Sequence, residues 1–108
     1  MVSADILRGH TETIILAQLA DKDSYGYEIS KNILEKGEGI LDIKDATIYT
    51  AFRRMEAEGL ITAFWGDGSG GARRKYYRMT EEGRRFYEIK KTEWLTVSRL
   101  LNKLILGG

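Results

Sequence analysis

The chain has 108 residues, enough for one domain with a single modest hydrophobic core. Hydrophobic residues make up 43% and charged residues 31%, so we expect a folded globular chain. With no cysteine and one histidine, disulfides, thiolate chemistry and multi-histidine metal sites are excluded. We also expect a cytoplasmic location, because no apolar run approaches the roughly 20 residues of a membrane span and the first ten residues lack a signal-peptide core.

The net charge of +1 hides an uneven distribution along the chain. Residues 1–43 hold four Lys or Arg and eight Asp or Glu, whereas residues 44–79 hold seven and four. A nearly neutral chain with a basic middle can still present one basic face to a polyanion. An ordinary solvated surface explains the same distribution, so charge alone leaves both interpretations open.

The first part of the chain predicts two helices. Apolar residues recur on one side of a helix over residues 6–20. Ser24 is a candidate N-cap for the second helix, and Gly37 and Gly39 suit its end. Residues 40–44 then form a link.

The third predicted helix, Asp45 to Glu58, is the most informative, with Asp45 as a candidate N-cap and Gly59 as a candidate C′ residue. Its predicted buried face consists of Ile48, Ala51, Phe52 and Met55. The opposite face carries Ala46, Thr50, Arg53, Arg54 and Ala57, and Thr47 and Tyr49 lie on its flanks. This outer side is therefore small or hydroxylated near the N-terminus of the helix and cationic further along. A helix that is slim at its point of contact can enter the DNA major groove. The alternative is a surface helix of any small bundle.

A β-hairpin is predicted next, with strands over residues 60–65 and 73–80. The intervening loop covers residues 66–72, and its first six residues spell G-x-G-x-x-G. A strand follows the loop, so no helix N-terminus is available to bind a dinucleotide. The return strand starts with three adjacent cations that suit phosphate contact: Arg73, Arg74 and Lys75. Cations also protect strand edges from aggregation, which is the alternative.

The last predicted element is a long helix that Thr80 caps and that runs to about Leu106. Its second half carries more apolar residues than so small a domain can bury, and each buried one contributes roughly 1.5–3 kcal/mol. We therefore predict a homodimer through this helix. Its expected interface residues are Trp94, Val97, Leu100, Leu101, Leu104 and Ile105.

Three helices followed by a hairpin predict a mainly α fold, a winged helix-turn-helix with a long C-terminal dimerisation helix. We assign residues 1–80 to the DNA-binding domain, with the wing at about 60–80, and residues 81–108 to the dimerisation helix. The single His10 lies beside no residue that completes a catalytic site, so we predict no enzyme, no metal site and no cofactor.

Four stretches of the sequence together resemble the PadR family of bacterial transcriptional regulators. They are SYGYEI at 24–29, ATIYTAFRRME at 46–56, EGLI at 58–61 and RRKYYRMTEEG at 73–83. The resemblance covers nearly the whole chain, and the short length is similar to a small subgroup of the family. It implies a winged-helix dimer that represses promoters and is released by small molecules.

In that subgroup, paired tryptophans of the dimer bind flat aromatic drugs in a pore at the interface. By this resemblance, Trp94, Val97 and Ser98 would line the pore together with Ile6 and Glu12 of the first helix. Ser98 replaces an acid of the subgroup and Glu12 replaces an amide. The resemblance therefore does not extend to cationic drugs as ligands.

The expected partners are double-stranded DNA with a pseudo-palindromic operator, a second copy of the chain, and a flat aromatic small molecule. The residues expected to contact DNA are Tyr25, Lys44, Thr47, Tyr49, Thr50, Arg53, Arg54, Arg73, Arg74 and Lys75. An alternative is a protein-interaction module whose basic wing docks an acidic partner and which binds no small molecule.

Overall fold

Five α-helices and three short strands form residues 4–107, the part of the chain that the computed structural model describes. In chain order they are α1 (Ala4–Leu7), α2 (Thr11–Asp21), β1 (Ser24–Tyr25), α3 (Gly26–Lys36), α4 (Asp45–Ala57), β2 (Ile61–Asp67), β3 (Arg73–Met79) and α5 (Glu81–Leu106). A short 3₁₀ turn over Ser69–Gly71 joins β2 to β3. Residues 1–3 and 108, the outer ends of the two predicted regions, lie outside the described residues.

The core lies between α2, α3, α4 and the sheet. The face predicted for the third helix is confirmed, since all four of its apolar residues are buried. Phe52 stacks on Tyr77 of β3 with 4.0 Å between the ring centroids. This stack joins α4 to the sheet, and so fixes where the outer side of α4 lies relative to the hairpin.

The prediction of one continuous helix over residues 6–20 is wrong. The chain turns between α1 and α2, where Gly9 has φ +88°, a left-handed conformation that glycine adopts without steric cost. The apolar spacing continues across this turn, so periodicity alone does not detect the break.

Ser24 is not an N-cap, because it lies in β1 and pairs with Tyr77 of β3. Its hydroxyl donates a 2.6 Å hydrogen bond to Glu28 Oε1. Helix α3 begins two residues later, at Gly26. Similarly, Asp45 is the first residue of α4, and Lys44 occupies its N-cap position.

The predicted hairpin is confirmed, and β1 adds a third strand to give the antiparallel order β1-β3-β2. The register of the hairpin runs from Ile61 opposite Met79 to Asp67 opposite Arg73. Because side chains alternate along a strand, one face of the hairpin packs on the core through Ile61 and Tyr77. Tyr76, on the other face, stacks on Phe64 and contacts the edge of Tyr25.

Helix α5 starts as predicted, since Thr80 Oγ1 accepts a 3.0 Å hydrogen bond from the backbone N–H of Gly83. Its first turns pack on the core through Phe86 and Tyr87. Beyond them, the apolar side chains are exposed in the single chain: Ile89, Trp94, Leu95, Val97, Leu100, Leu101, Leu104, Ile105 and Leu106. Within residues 4–107, no helix is long and apolar enough to cross a membrane.

Candidate nucleic-acid interface

The outer side of α4 is open to solvent over the whole predicted contact region. Ala46, Thr47, Thr50 and Arg53 are all exposed. Arg53 Nη2 donates to Thr50 Oγ1 at 3.3 Å, so a hydroxyl and a guanidinium group stand side by side on this surface. Such a pair can donate hydrogen bonds to base edges or to phosphate oxygens.

The hairpin forms one wall beside α4. Tyr25, Tyr49, Arg74 and Lys75, all predicted contact residues, line a shallow depression of about 290 Å³ between α4 and the sheet. The Arg74 guanidinium lies over the Tyr25 ring, 4.4 Å from its centroid. A stacked guanidinium keeps its N–H groups free at the edge, which suits phosphate contact.

Tyr77 also lines this depression and stays uncharged there. Burial, with a smaller contribution from Glu56, raises the pKa of Tyr77 above its usual value. Lys75 lies 3.9 Å from the Glu56 carboxylate of α4. This ion pair connects the return strand to α4.

The other wall beside α4 is formed by α2 and the start of α5. Thr47, Thr50 and Arg54 line a depression of about 570 Å³ on this side, together with Glu12 of α2. Arg54 Nε donates a hydrogen bond to Glu12 Oε2, so the carboxylate holds this guanidinium against α2. Arg54, which we predicted to contact DNA, is therefore paired with Glu12, which we predicted to contact the ligand.

Carboxylates divide the cations of this surface into two groups. Arg54, Lys75 and Arg78 are paired with Glu12, Glu56 and Asp23, respectively. Among the described residues, no carboxylate lies within 4.0 Å of the other cations: Lys44, Arg53, Arg73 and Arg74. The unpaired group lies at the start of α4, on α4 itself and on the hairpin. These charges have no carboxylate partner among the described residues and are open to an external anion.

Arg78 belongs to the base of the hairpin and was not among the predicted site residues. Its guanidinium makes hydrogen bonds of 3.0 and 2.7 Å to Asp23 Oδ2, which raise the pKa of Arg78 further above its already high value. Fifty-five positions separate the two residues, and their sequence contains no signal that would pair them.

The predicted ligand residues are only partly brought together in the single chain. Trp94, Val97 and Ser98 lie on one side of α5, because they are three and four positions apart. The Ser98 hydroxyl donates a 3.2 Å hydrogen bond to the Leu95 carbonyl. Glu12 instead faces the depression beside α4, where Trp94 is not among the lining residues. Sequence reasoning also missed that His10 contacts Trp94, with 5.2 Å between ring centroids.

Among the described residues, no group of three or more His, Cys, Asp or Glu side chains is placed to hold a metal ion. The site therefore consists of an exposed helix with hydroxyls and cations, beside a cationic β-hairpin on a helical core. This arrangement defines the winged helix-turn-helix class of DNA-binding proteins.

Comparison with known proteins identifies the family within that class. The sequence model of the transcriptional regulator PadR-like family matches residues 15–89. The chain belongs to this family, and it is a DNA-binding transcriptional regulator. Membership of a family of regulators also supports the prediction that the chain is not an enzyme.

Solved structures of high similarity span almost the whole chain. A transcriptional regulator from Clostridium thermocellum is 45% identical with a TM-score of 0.86, covering 95% of this chain and 97% of its own. A PadR-like transcriptional regulator from Bacillus cereus is 32% identical with a TM-score of 0.85, covering 97% and 100%. Among proteins compared by sequence alone, an uncharacterised protein from Lysinibacillus sphaericus is 41% identical over 99% of this chain and 98% of its own length.

Proposed function

We propose that the chain is a homodimeric repressor whose binding to a pseudo-palindromic operator is modulated by a flat aromatic small molecule at the dimer interface. The observation that carries the DNA-binding half is the exposed side of α4 with unpaired cations on both α4 and the hairpin. In this proposal α4 enters the major groove and residues 60–80 form the wing that contacts the backbone. In this proposal the repressor acts in the cytoplasm, where its operator DNA lies.

Dimerisation is supported by the exposed apolar row on α5. Trp94, Leu101 and Leu104 lie on one side of the helix and are exposed in the single chain. Each such side chain gains roughly 1.5–3 kcal/mol on burial, and a second copy of α5 offers a matching surface. In this proposal residues 81–108 form the dimerisation helix, and the two-fold axis places the recognition helices on half-sites about 10 base pairs apart, or a multiple of that.

The test of DNA binding is a titration with duplex from the region upstream of the gene, at several salt concentrations. Four unpaired cations per protomer correspond to about eight neutralised phosphates per dimer, so log K should fall with log salt at a slope of about −7. Replacing Thr50 and Arg53 together by alanine should weaken binding by about 10- to 100-fold, because both groups face the groove.

Lys31→Ala is the matched control, since it removes one exposed cation from α3 and lines neither depression. It should leave both the affinity and the slope unchanged. A flat salt response, or equal losses in the control and the double variant, contradicts the proposal. Binding to an acidic protein without binding to any duplex favours the protein-interaction alternative.

The ligand half of the proposal is carried by Trp94, an exposed aromatic ring on the α5 row. Stacking on such a ring contributes about 0.5–1.5 kcal/mol beyond area burial. A ligand held between the protomers would change operator affinity only if it bound one arrangement of the dimer more tightly than another.

Trp94→Ala is therefore expected to weaken binding of a flat acridine dye about tenfold, measured by fluorescence titration. Trp94→Phe keeps an aromatic face and should retain most of the affinity. Equal dye affinity in the alanine variant and the parent protein contradicts the stacking role.

A further inference from the structure

The wing carries an exposed tryptophan that neither the core nor the predicted contact set uses. Trp65 lies in β2 with 58% of its surface accessible. A large aromatic side chain held in water forgoes the free energy that burial would provide. Unlike the exposed apolar residues of α5, it lies in the hairpin beside the unpaired cations.

The alternation of side chains along the hairpin shows which way Trp65 faces. It is separated by two and four positions from Ala63 and Ile61, which pack on the core, so it shares their face of the sheet. Its cross-strand partner is Lys75, which lies on the same face and reaches Glu56 of α4. Trp65 therefore extends the α4-facing side of the sheet outward, beyond the edge of the core.

A cation lies over one face of the Trp65 ring. The Arg73 guanidinium is 5.3 Å from the centroid of the Trp65 ring, and no described carboxylate lies within 4.0 Å of it. The Trp65 ring thus provides an exposed apolar surface, and the Arg73 guanidinium provides a positive charge next to it that no described carboxylate neutralises. A sugar–phosphate backbone has the complementary pattern, because apolar deoxyribose faces alternate with phosphate anions. An acidic protein surface would match the guanidinium but would leave the ring without a partner of its own.

We propose that Trp65 is a DNA-contacting residue of the wing, with its ring packed on the sugars along the groove and Arg73 on the neighbouring phosphate. This inference depends on the proposed docking of α4 and the wing on one duplex. It assigns Trp65 an uncharged contact, which contributes affinity without releasing counterions.

The first test compares DNA affinity and its salt dependence between the parent protein and its variants. Trp65→Ala should weaken binding of the upstream duplex about tenfold, while Trp65→Phe loses no more than about threefold. The slope of log K against log salt should stay at the parent value in Trp65→Ala. In Arg73→Ala it should become shallower by about two for the dimer, because each protomer then releases one counterion fewer.

The second test uses fluorescence. The chain has two tryptophans, so the difference in emission between the parent protein and Trp65→Phe isolates the signal of Trp65. That signal should change when duplex saturates the protein. Thr62→Ala serves as the matched control, because Thr62 is exposed on the opposite face of the same strand and should leave affinity unchanged.

Parent affinity in Trp65→Ala, with no change of Trp65 emission on saturation, overturns this inference while leaving the proposed function intact. A shallower salt slope in Trp65→Ala also overturns it, because Trp65 would then act only by holding Arg73. Failure of the parent protein to bind any duplex overturns the proposed function and this inference together. Tighter capture of an acidic protein than of duplex, lost in Trp65→Ala, assigns the ring to a protein partner instead.

Discussion

Leu101→Glu is expected to convert the protein to a monomer at micromolar concentration and to weaken operator binding at least 100-fold. Leu101 lies in the middle of the exposed α5 row and is 43% accessible in the single chain. A carboxylate at this point would be buried without a partner in a helix–helix interface, which costs several kcal/mol per copy. Operator affinity falls when the dimer is lost, because two linked recognition helices bind far more tightly than one.

Sedimentation velocity gives the oligomeric state, and duplex titration of the same samples gives the affinity. Thr92→Glu is the matched control, since it adds the same charge to an exposed position on the opposite side of α5. It should leave both measurements unchanged. A dimeric Leu101→Glu protein contradicts the proposed interface, and a monomeric one with undiminished operator affinity contradicts the coupling of dimerisation to DNA binding.

Gly83→Ala is expected to destabilise the protein strongly, although the same change in an ordinary helix stabilises by about 0.5–1 kcal/mol. Gly83 is buried in the first turn of α5, and an added Cβ would lie 2.0 Å from the backbone oxygen of Leu60. Since that atom is backbone, α5 itself must shift away from the start of β2. We expect a loss of about 2–3 kcal/mol in the free energy of unfolding.

Thermal and chemical unfolding at a fixed protomer concentration measure this loss, because the stability of a dimer depends on concentration. Each kcal/mol corresponds to about 4–8 °C in Tm for a domain of this size. Thr96→Ala, at an exposed position of the same helix, should change stability by less than about 0.5 kcal/mol. Parent stability in Gly83→Ala would show that α5 does not sit this close to Leu60.

The elements that the sequence predicts well are those with long, regular apolar spacing. Helix α4 has four apolar residues at helical intervals, and the structure buries all of them. The hairpin and the Thr80 cap are likewise set by short-range patterns. The turn at Gly9 and the two-residue strand β1 have no periodicity of their own. The turn depends on one glycine in a left-handed conformation, and β1 is defined by its pairing with the distant strand β3.

In the candidate site, too, the sequence predicts local features but not contacts between distant residues. The basic character of α4 and of the return strand is readable from residue type, but the partners of each cation are not. Arg54 pairs with Glu12 across 42 positions, whereas its neighbour Arg53 bonds only three positions away, to Thr50. Sixteen acidic residues are available in the chain, and only the fold selects among them.

The base of the wing is fixed at three separate points. Strand β1 pairs with β3, Arg78 is bonded to Asp23, and Phe52 stacks on Tyr77. These contacts restrain the hairpin relative to α4. In the proposed docking, the distance between the helix in the groove and the hairpin on the DNA backbone is therefore set before a duplex binds. If α4 and the hairpin dock on one duplex as proposed, a DNA whose groove widths do not match this distance has to bend or twist to fit. Its affinity would then depend on the shape of the DNA as well as on its base sequence.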